Sequence, residues 1–416
     1  MTSGRERLPV ATTFLFWTFL RAVSHRGFVL ASMLYYVLTA HLSASQLVLL
    51  GTVQAVAGTL TDVPAGALSD AISRKWPLVA GHVLLAAGML MTGLVRAFPL
   101  FVVAQLLWAL GWACSGGADV AWLTDELAQP ERVSRVLTAR SRFELTGGAT
   151  GMICFGLLAV GAGLRVAIVT SAVFMAVLGA GVAAVFSEDN FEPDRQAWHQ
   201  ATWRVLRAGL ALARQDPQIR LVLTATLIVN GAGMATWLFP RQLVDIGFPG
   251  NAVLWYTGLS VAGSLAGVVV LRLADRHLTG AAVSQVYAFS CLAGAAGLVL
   301  LALAPDALAG CAGVILARGV AVNVCMTAGV VWVNGRTTSD VRATVHSLLT
   351  QAEYAGEIGG GAGLAAIAAA GGPGRTLIAA AGLWALAGLI LVAGRVGRAG
   401  QVAAAAARAA ASTRSR

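Results

Sequence analysis

Ionisable side chains stand inside stretches of sequence that are otherwise apolar. Arg21, His25 and Arg26 interrupt the first stretch, Asp62 the second and Asp119 the fourth, while Arg142 and Glu144 open the fifth. Later in the chain Arg318 and Asn323 share one apolar run, and Glu353 and Glu357 share the next. A charge at the centre of a bilayer costs about 2.5 to 3.5 kcal/mol on insertion scales, so each of these residues needs a partner or a cavity. The chemistry on offer is ion pairing, solute binding and proton exchange. An acid whose charge is opposed by burial and favoured by an approaching Arg changes protonation between two conformations. Asp62, Asp119 and Glu144 are the acids suited to that role, and the imidazole of His25 is a further titratable group. The competing reading for each is a permanent ion pair. For Glu353 and Glu357, beside a glycine-rich run that permits tight helix contact, a structural role is the stronger expectation.

Other chemistries find no support. No HExxH, GxSxG or Cys/His cluster is present, so neither an enzyme nor a metal site is expected, and no cofactor is implied. The five cysteines, Cys114, Cys154, Cys291, Cys311 and Cys325, lie singly in apolar runs and read as small packing residues. Nothing forms the filter or charged ring of an ion channel.

The elements that position these residues follow from composition. The chain has 416 residues, of which 57 % are hydrophobic and 12 % charged, against roughly 25 % charged in soluble domains. Its mean hydropathy is +0.76. Apolar runs of about 20 residues match a hydrocarbon core ~30 Å thick, which predicts an all-α membrane protein and not a barrel. Twelve transmembrane helices are expected, near 11–39, 46–68, 77–95, 99–121, 143–163, 166–186, 219–241, 252–273, 281–304, 308–333, 344–370 and 376–394. The basic N-terminal residues read as a cytoplasmic start and not as a cleaved signal peptide. Most of the 29 Lys and Arg residues then fall in the breaks near 69–76, 122–142, 187–218, 272–280 and 335–343 and at both ends. That asymmetry predicts both termini in the cytoplasm, in the inner membrane of a cell. It also accounts for the net charge of +10 without nucleic acid.

The longest break separates two six-helix halves, 1–186 and 219–395, with a cytoplasmic loop at 187–218 and a basic tail at 396–416 that suits anionic lipid. The halves echo each other. Asp70 is followed 205 positions later by Asp275, and Glu144 in ELTGGATG is followed 209 positions later by Glu353 in EYAGEIGGGAG. Two pseudo-symmetric repeats of six spans are a layout of secondary transporters.

The run from Gly66 to Lys75, GALSDAISRK, resembles the loop between spans 2 and 3 of the major facilitator superfamily, written G-x-L-[A/S]-D-R-x-G-R-[R/K]. Ala71 stands where that pattern has Arg, and Ser73 where it has Gly. Asp62-Val63-Pro64-Ala65-Gly66 and the stretch Gly117 to Trp122 with Asp125 are similar to one exporter-like bacterial branch. The resemblance implies a conformational latch at Gly66, Asp70, Arg74, Asp275 and Arg276 that closes the cytoplasmic side. Gly66 and Asp70 share a helix face, so a neighbouring helix is expected close against Gly66.

The resemblance also implies a central cavity lined by spans 1, 4, 7 and 10. Arg21 and His25, four apart, share a face and so both reach that cavity, with Asp62 and Asp119 as acids to pair with them. Asn230, Trp237, Arg318 and Asn323 supply contacts from the other half. Such a lining suits a small amphipathic solute. Span 5 has six glycines but lacks the Gly-Pro ending of drug antiporters, so export rests on the branch resemblance. The function implied is proton-driven export of a small organic molecule by a monomer in the bilayer, with uptake of a metabolite by proton symport as the alternative.

Overall fold

The computed structural model describes residues 9–127, 129–193, 207, 211, 214, 216–336 and 339–414, and within these the side chains of 281, 339–344 and 395–414 lie outside the description. The central loop expected at 187–218 therefore falls largely outside the described residues, and so do the side chains of the basic tail. Among the described residues the chain is helical, without strands. Ten stretches of the described residues are long and apolar enough to cross a membrane.

In the first half the helices are α1 (Val10–Leu38), α2 (Ala44–Ile72), α3 (Lys75–Leu94), α4 (Phe98–Ser115), α5 (Ala118–Leu127), α6 (Pro130–Ala162) and α7 (Leu164–Val185). The first of them buries Phe14, Trp17, Arg21, Ser24, Phe28, Ala31 and Tyr35, a stripe with alternating spacings of three and four. Arg21 therefore belongs to the buried seam and not to the lipid face. Ser43 and Gln46 cap α2 reciprocally: the Ser43 hydroxyl accepts from the Gln46 amide at 3.3 Å, and Gln46 Oε1 accepts from the Ser43 amide at 2.9 Å. The fourth expected span is broken where Gly117 adopts φ +79, a conformation that suits glycine. That break starts a new helix and places Asp119 in its first turn, where the helix dipole favours an acid.

The break expected at 122–142 is corrected by the structure. Helix continues to Leu127 and resumes at Pro130, so α6 has 33 residues, about 50 Å at 1.5 Å each. The polar residues that mark this segment as lying beyond the hydrocarbon do not oppose helix formation, and Pro130 is tolerated in the first turn. Val133 and Val136 join an apolar cluster with Phe14, Trp122, Leu123 and Phe186 that supports the extension.

The second half contains α8 (Pro217–Gly233), a 3-10 turn at Met234–Leu238, α9 (Phe239–Ile246), α10 (Ala252–Ala274), α11 (Val283–Ala302), α12 (Ala307–Val314), a π-helical segment at Ile315–Val322, α13 (Asn323–Asn334) and α14 (Ser339–Arg414). Pro240, which has no amide hydrogen and cannot bond back to the preceding turn, accompanies the change of helix type before it. The last two expected spans form one helix interrupted by the non-helical Gly372, φ 72, next to Pro373.

Two compact units emerge, Met1–Thr202 with Leu243–Val261, and Trp203–Gln242 with Ala262–Arg416. Residues 243–261 group with the first half; Gly156 of α6 faces Thr257, and a Cβ on Gly156 would lie 2.7 Å from the threonine Cγ2. Each unit seats its first long helix against a glycine-bearing one. In the first, Gly147 and Gly151 of α6 meet the carbonyls of Phe19 and Val23; in the second, Gly356 and Gly360 of α14 meet Leu227 and Gly231 of α8. Neither contact leaves room for a side chain.

Candidate functional site

The first unit gathers its charges into a chain. Asp119, only 2 % exposed, receives Arg140 Nη2 at 2.8 Å and lies 3.8 Å from Arg21 Nη1. Its other oxygen accepts from the Val120 amide at 2.8 Å. Arg140 also donates through Nε to Glu144 at 2.8 Å, one helical turn along α6. The guanidinium thus holds two acids, one whose side chain is 3 % exposed and one 47 % exposed. Arg140 is the residue the sequence reading missed; its spacing of four from Glu144 was the available signal.

Beside this chain lies an aromatic cluster. Arg21 sits over the rings of Trp17 and Trp112, at 5.1 and 4.6 Å from their centroids. His25 stacks on Trp108 and packs against Trp112, and those two indoles are parallel at 5.5 Å. Nε of Arg21, Nδ1 of His25 and Nε1 of Trp108 are buried with no hydrogen-bond partner among the described residues. A buried polar group left unmatched costs about 1–3 kcal/mol, so three in one cluster call for an explanation. His82 is different: it accepts from Trp17 Nε1 at 3.1 Å and its Nδ1 lies 2.7 Å from the Leu78 carbonyl, a satisfied core histidine. Asp62 is half-buried on α2.

At the polar edge of the same unit Arg74 pairs with Asp70 and, at 3.2 Å, with Asp125. Burial works against the charge of Arg74, but hydrogen bonding and charge from Asp70, then Asp125, outweigh it and hold the guanidinium above its ordinary range. Ser73 uses its departure from the superfamily pattern: its hydroxyl donates to Glu188 at 2.7 Å and accepts from the Trp76 amide at 3.1 Å. Glu188 also accepts from the amides of Arg74 and Lys75. The close approach expected at Gly66 is not formed, since a Cβ there would meet no described atom within 4 Å. Asp275 and Arg276 lie exposed in a 3-10 turn after α10 and form no ion pair among the described residues.

The second unit arranges its polar residues around a space. A cavity of about 230 Å³ is lined by Asn230, Met234, Thr236, Trp237, Arg318, Met326, Glu357 and Trp384, among others. It sits where α8 gives way to the 3-10 turn and opposite the π-helical segment that carries Arg318; π-bulges are frequent at functional sites. Trp384 is fixed by its Nε1 bond to the Val229 carbonyl at 2.9 Å. Of the residues expected here, Asn230, Trp237 and Arg318 line the cavity, whereas Asn323 donates back to the Gly319 carbonyl at 2.7 Å and faces Gly267 of α10. Glu357 joins the lining, although its sequence context favoured a structural role. Among the described residues no group of His, Cys, Asp and Glu is placed to hold a metal ion.

The family model of the Major Facilitator Superfamily matches residues 14–363. The chain belongs to the major facilitator superfamily. Membership agrees with the apolar helices in making this a multi-pass membrane protein of a transporter family. Solved superfamily-like structures resemble it along nearly the whole chain. A variant of the nucleoside transporter NupG matches with a TM-score of 0.76 at 14 % identity, covering 93 % of this chain and 100 % of that one. A POT family transporter in complex with 5-aminolevulinic acid gives 0.71 at 11 % identity, with 92 % and 95 % covered. A bacterial homologue of the human lysosomal transporter Spinster, inward-facing and occupied, gives 0.71 at 14 % identity, with 93 % and 96 % covered. At such identities the likeness concerns the fold. No curated protein sequence matches the chain.

Proposed function

We propose that this superfamily member is a secondary active transporter that exports a small organic molecule by alternating access, in exchange for protons. The observation that carries the proton-coupled reading is Arg140, which holds the buried Asp119 and the half-exposed Glu144 at the same distance of 2.8 Å. Glu144 takes up or releases the proton, and Arg140 tightens on Asp119 when Glu144 is neutral. Arg21 and His25 in the first unit, and Asn230, Trp237, Arg318 and Glu357 around the cavity of the second, are the residues offered to the solute. The proton gradient is the energy source, and no cofactor takes part.

The reading counts twelve crossings in two six-helix repeats. To the ten apolar stretches it adds α1, whose Arg21, His25 and Arg26 lower its hydropathy, and it divides the 50-residue Val345–Gly394 stretch at Gly372. Undivided, that stretch would extend about 75 Å, far beyond a hydrocarbon core of ~30 Å. Paired contacts support the repeat: Glu144 and Glu353, Gly147 and Gly356, and Gly151 and Gly360 are each 209 positions apart. The protein works as a monomer in the inner membrane, with both termini cytoplasmic by the distribution of arginine.

Deletion and overexpression, scored for altered resistance across a panel of organic compounds, identify the solute. Everted membrane vesicles then test direction. Export by proton antiport predicts that acidifying the lumen drives the compound inward and that collapsing the gradient stops it. Loss of compound from a preloaded lumen on acidification would instead establish proton-coupled uptake.

A further inference from the structure

We propose that Arg21, His25, Trp108 and Trp112 form a subsite for the anionic group of an organic acid with a planar aromatic body. The inference rests on the transporter reading and names the class of solute it carries. Nε of Arg21 and Nε1 of Trp108 are obligate hydrogen-bond donors, so only an acceptor completes them, and Nδ1 of His25 donates in one of its tautomers. These unmatched nitrogens belong to residues already joined by ring contacts: Arg21 and His25 both lie on Trp112, and Trp112 is parallel to Trp108.

Charge favours an anion over a neutral acceptor. Arg21 is 8 % exposed, and its acid, Asp119, is 3.8 Å away because Arg140 holds that carboxylate more closely at 2.8 Å. A carboxylate, sulfonate or phosphate meets both the guanidinium charge and the indole donor. The aromatic part of the class comes from Trp112. Trp112 is 39 % exposed beside the buried donors, so a planar body can meet its open part while the anionic group reaches inward. The three nitrogens are closed to solvent in this conformation. The site is therefore occluded here, and the conformational cycle admits the solute.

The test uses the full-length protein in lipid nanodiscs and two probes of matched shape, 1-naphthoate and 1-naphthalenemethanol, titrated by calorimetry. The expected result is naphthoate binding about tenfold tighter than the alcohol, the worth of one charge-assisted hydrogen bond. Trp108→Phe keeps the ring and removes the donor; it should lower naphthoate affinity about tenfold and change the alcohol's by less than about twofold. An unshifted melting temperature of that variant in nanodiscs establishes that it is folded; if it is not, Trp112→Leu, which should weaken both probes together, replaces it. Equal affinities for the two probes, or an unchanged naphthoate affinity in Trp108→Phe, overturn the proposal and leave an internal water as the partner. Proton-linked efflux of a different solute from everted vesicles alongside that result would show that only the solute class is wrong; absence of any proton-linked flux would remove the transporter reading as well.

Discussion

Asp119 in the first unit and Glu357 in the second are both acids on apolar helices, and their surroundings differ. Asp119 is closed in by Arg140, Arg21 and the Val120 amide, whereas Glu357 lines a cavity together with Arg318, Asn230 and Trp237. The two units share a scaffold, since each packs its first long helix on glycines that bring the backbones together. The difference is therefore one of charge placement on similar packing. In the first unit ion pairs hold helices α1, α5 and α6 to each other. In the second, Arg318 and Glu357 line a cavity.

That contrast can be broken by removing one acid from each unit. Asp119→Asn leaves the buried Arg21 without its acid and Arg140 with Glu144 alone, and should cost about 3 kcal/mol of stability, seen as a large fall in melting temperature. Glu357→Gln should change stability by less than about 1 kcal/mol, because its loss uncovers no buried partner, while weakening solute binding. Equal destabilisation by the two substitutions would erase the distinction.

The shared scaffold makes a second, smaller prediction. Gly151→Leu and Gly356→Leu each push a side chain into a facing carbonyl, at Val23 and Leu227 respectively. Each should cost about 1–3 kcal/mol by overpacking, and the two losses should be similar. A marked inequality in folded yield or melting temperature would show that the α1–α6 and α8–α14 contacts are not equivalent.

The polar edges sharpen the comparison further. Glu188→Gln removes the charge from the hydrogen bonds to Ser73, Arg74 and Lys75 and should cost about 1–2 kcal/mol. Asp70→Asn should cost no more than about 1 kcal/mol, because Asp70 is 55 % exposed in its pair with Arg74. Its larger effect should be on the balance of conformations, read by the labelling rate of single cysteines on the two membrane faces. Asp275→Asn should leave stability within about 0.5 kcal/mol of the parent, as expected of an exposed residue without an ion pair among the described residues.

The sequence carried the helical membrane class because apolar runs of about 20 residues leave few alternatives, and it carried the pairing of Arg21 with Asp119 as a choice between two acids. It did not carry the geometry at Arg140, whose two partners lie on α5 and α6 and meet only when the extended helix forms. Polar composition marked 122–142 as a break, yet polarity reports the surroundings of a helix and not its absence. Ser73 read as a departure from a pattern; only the fold brings Glu188, 115 residues away, to its hydroxyl. Asn323 shows the reverse case, since polarity in an apolar run signalled a lining residue and the side chain instead bonds to its own helix. The cavity at the end of α8 depends on two changes of helix type, and Pro240 accompanies only the first of them.

The central claim is that Arg140 couples solute movement to protons through Glu144. The most direct measurement uses proteoliposomes holding either the parent or Glu144→Gln, and compares solute accumulation under an imposed pH gradient with solute exchange at equal pH. The account predicts that the parent does both, while Glu144→Gln exchanges solute but does not accumulate it. Accumulation by Glu144→Gln at the parent's level would contradict the account.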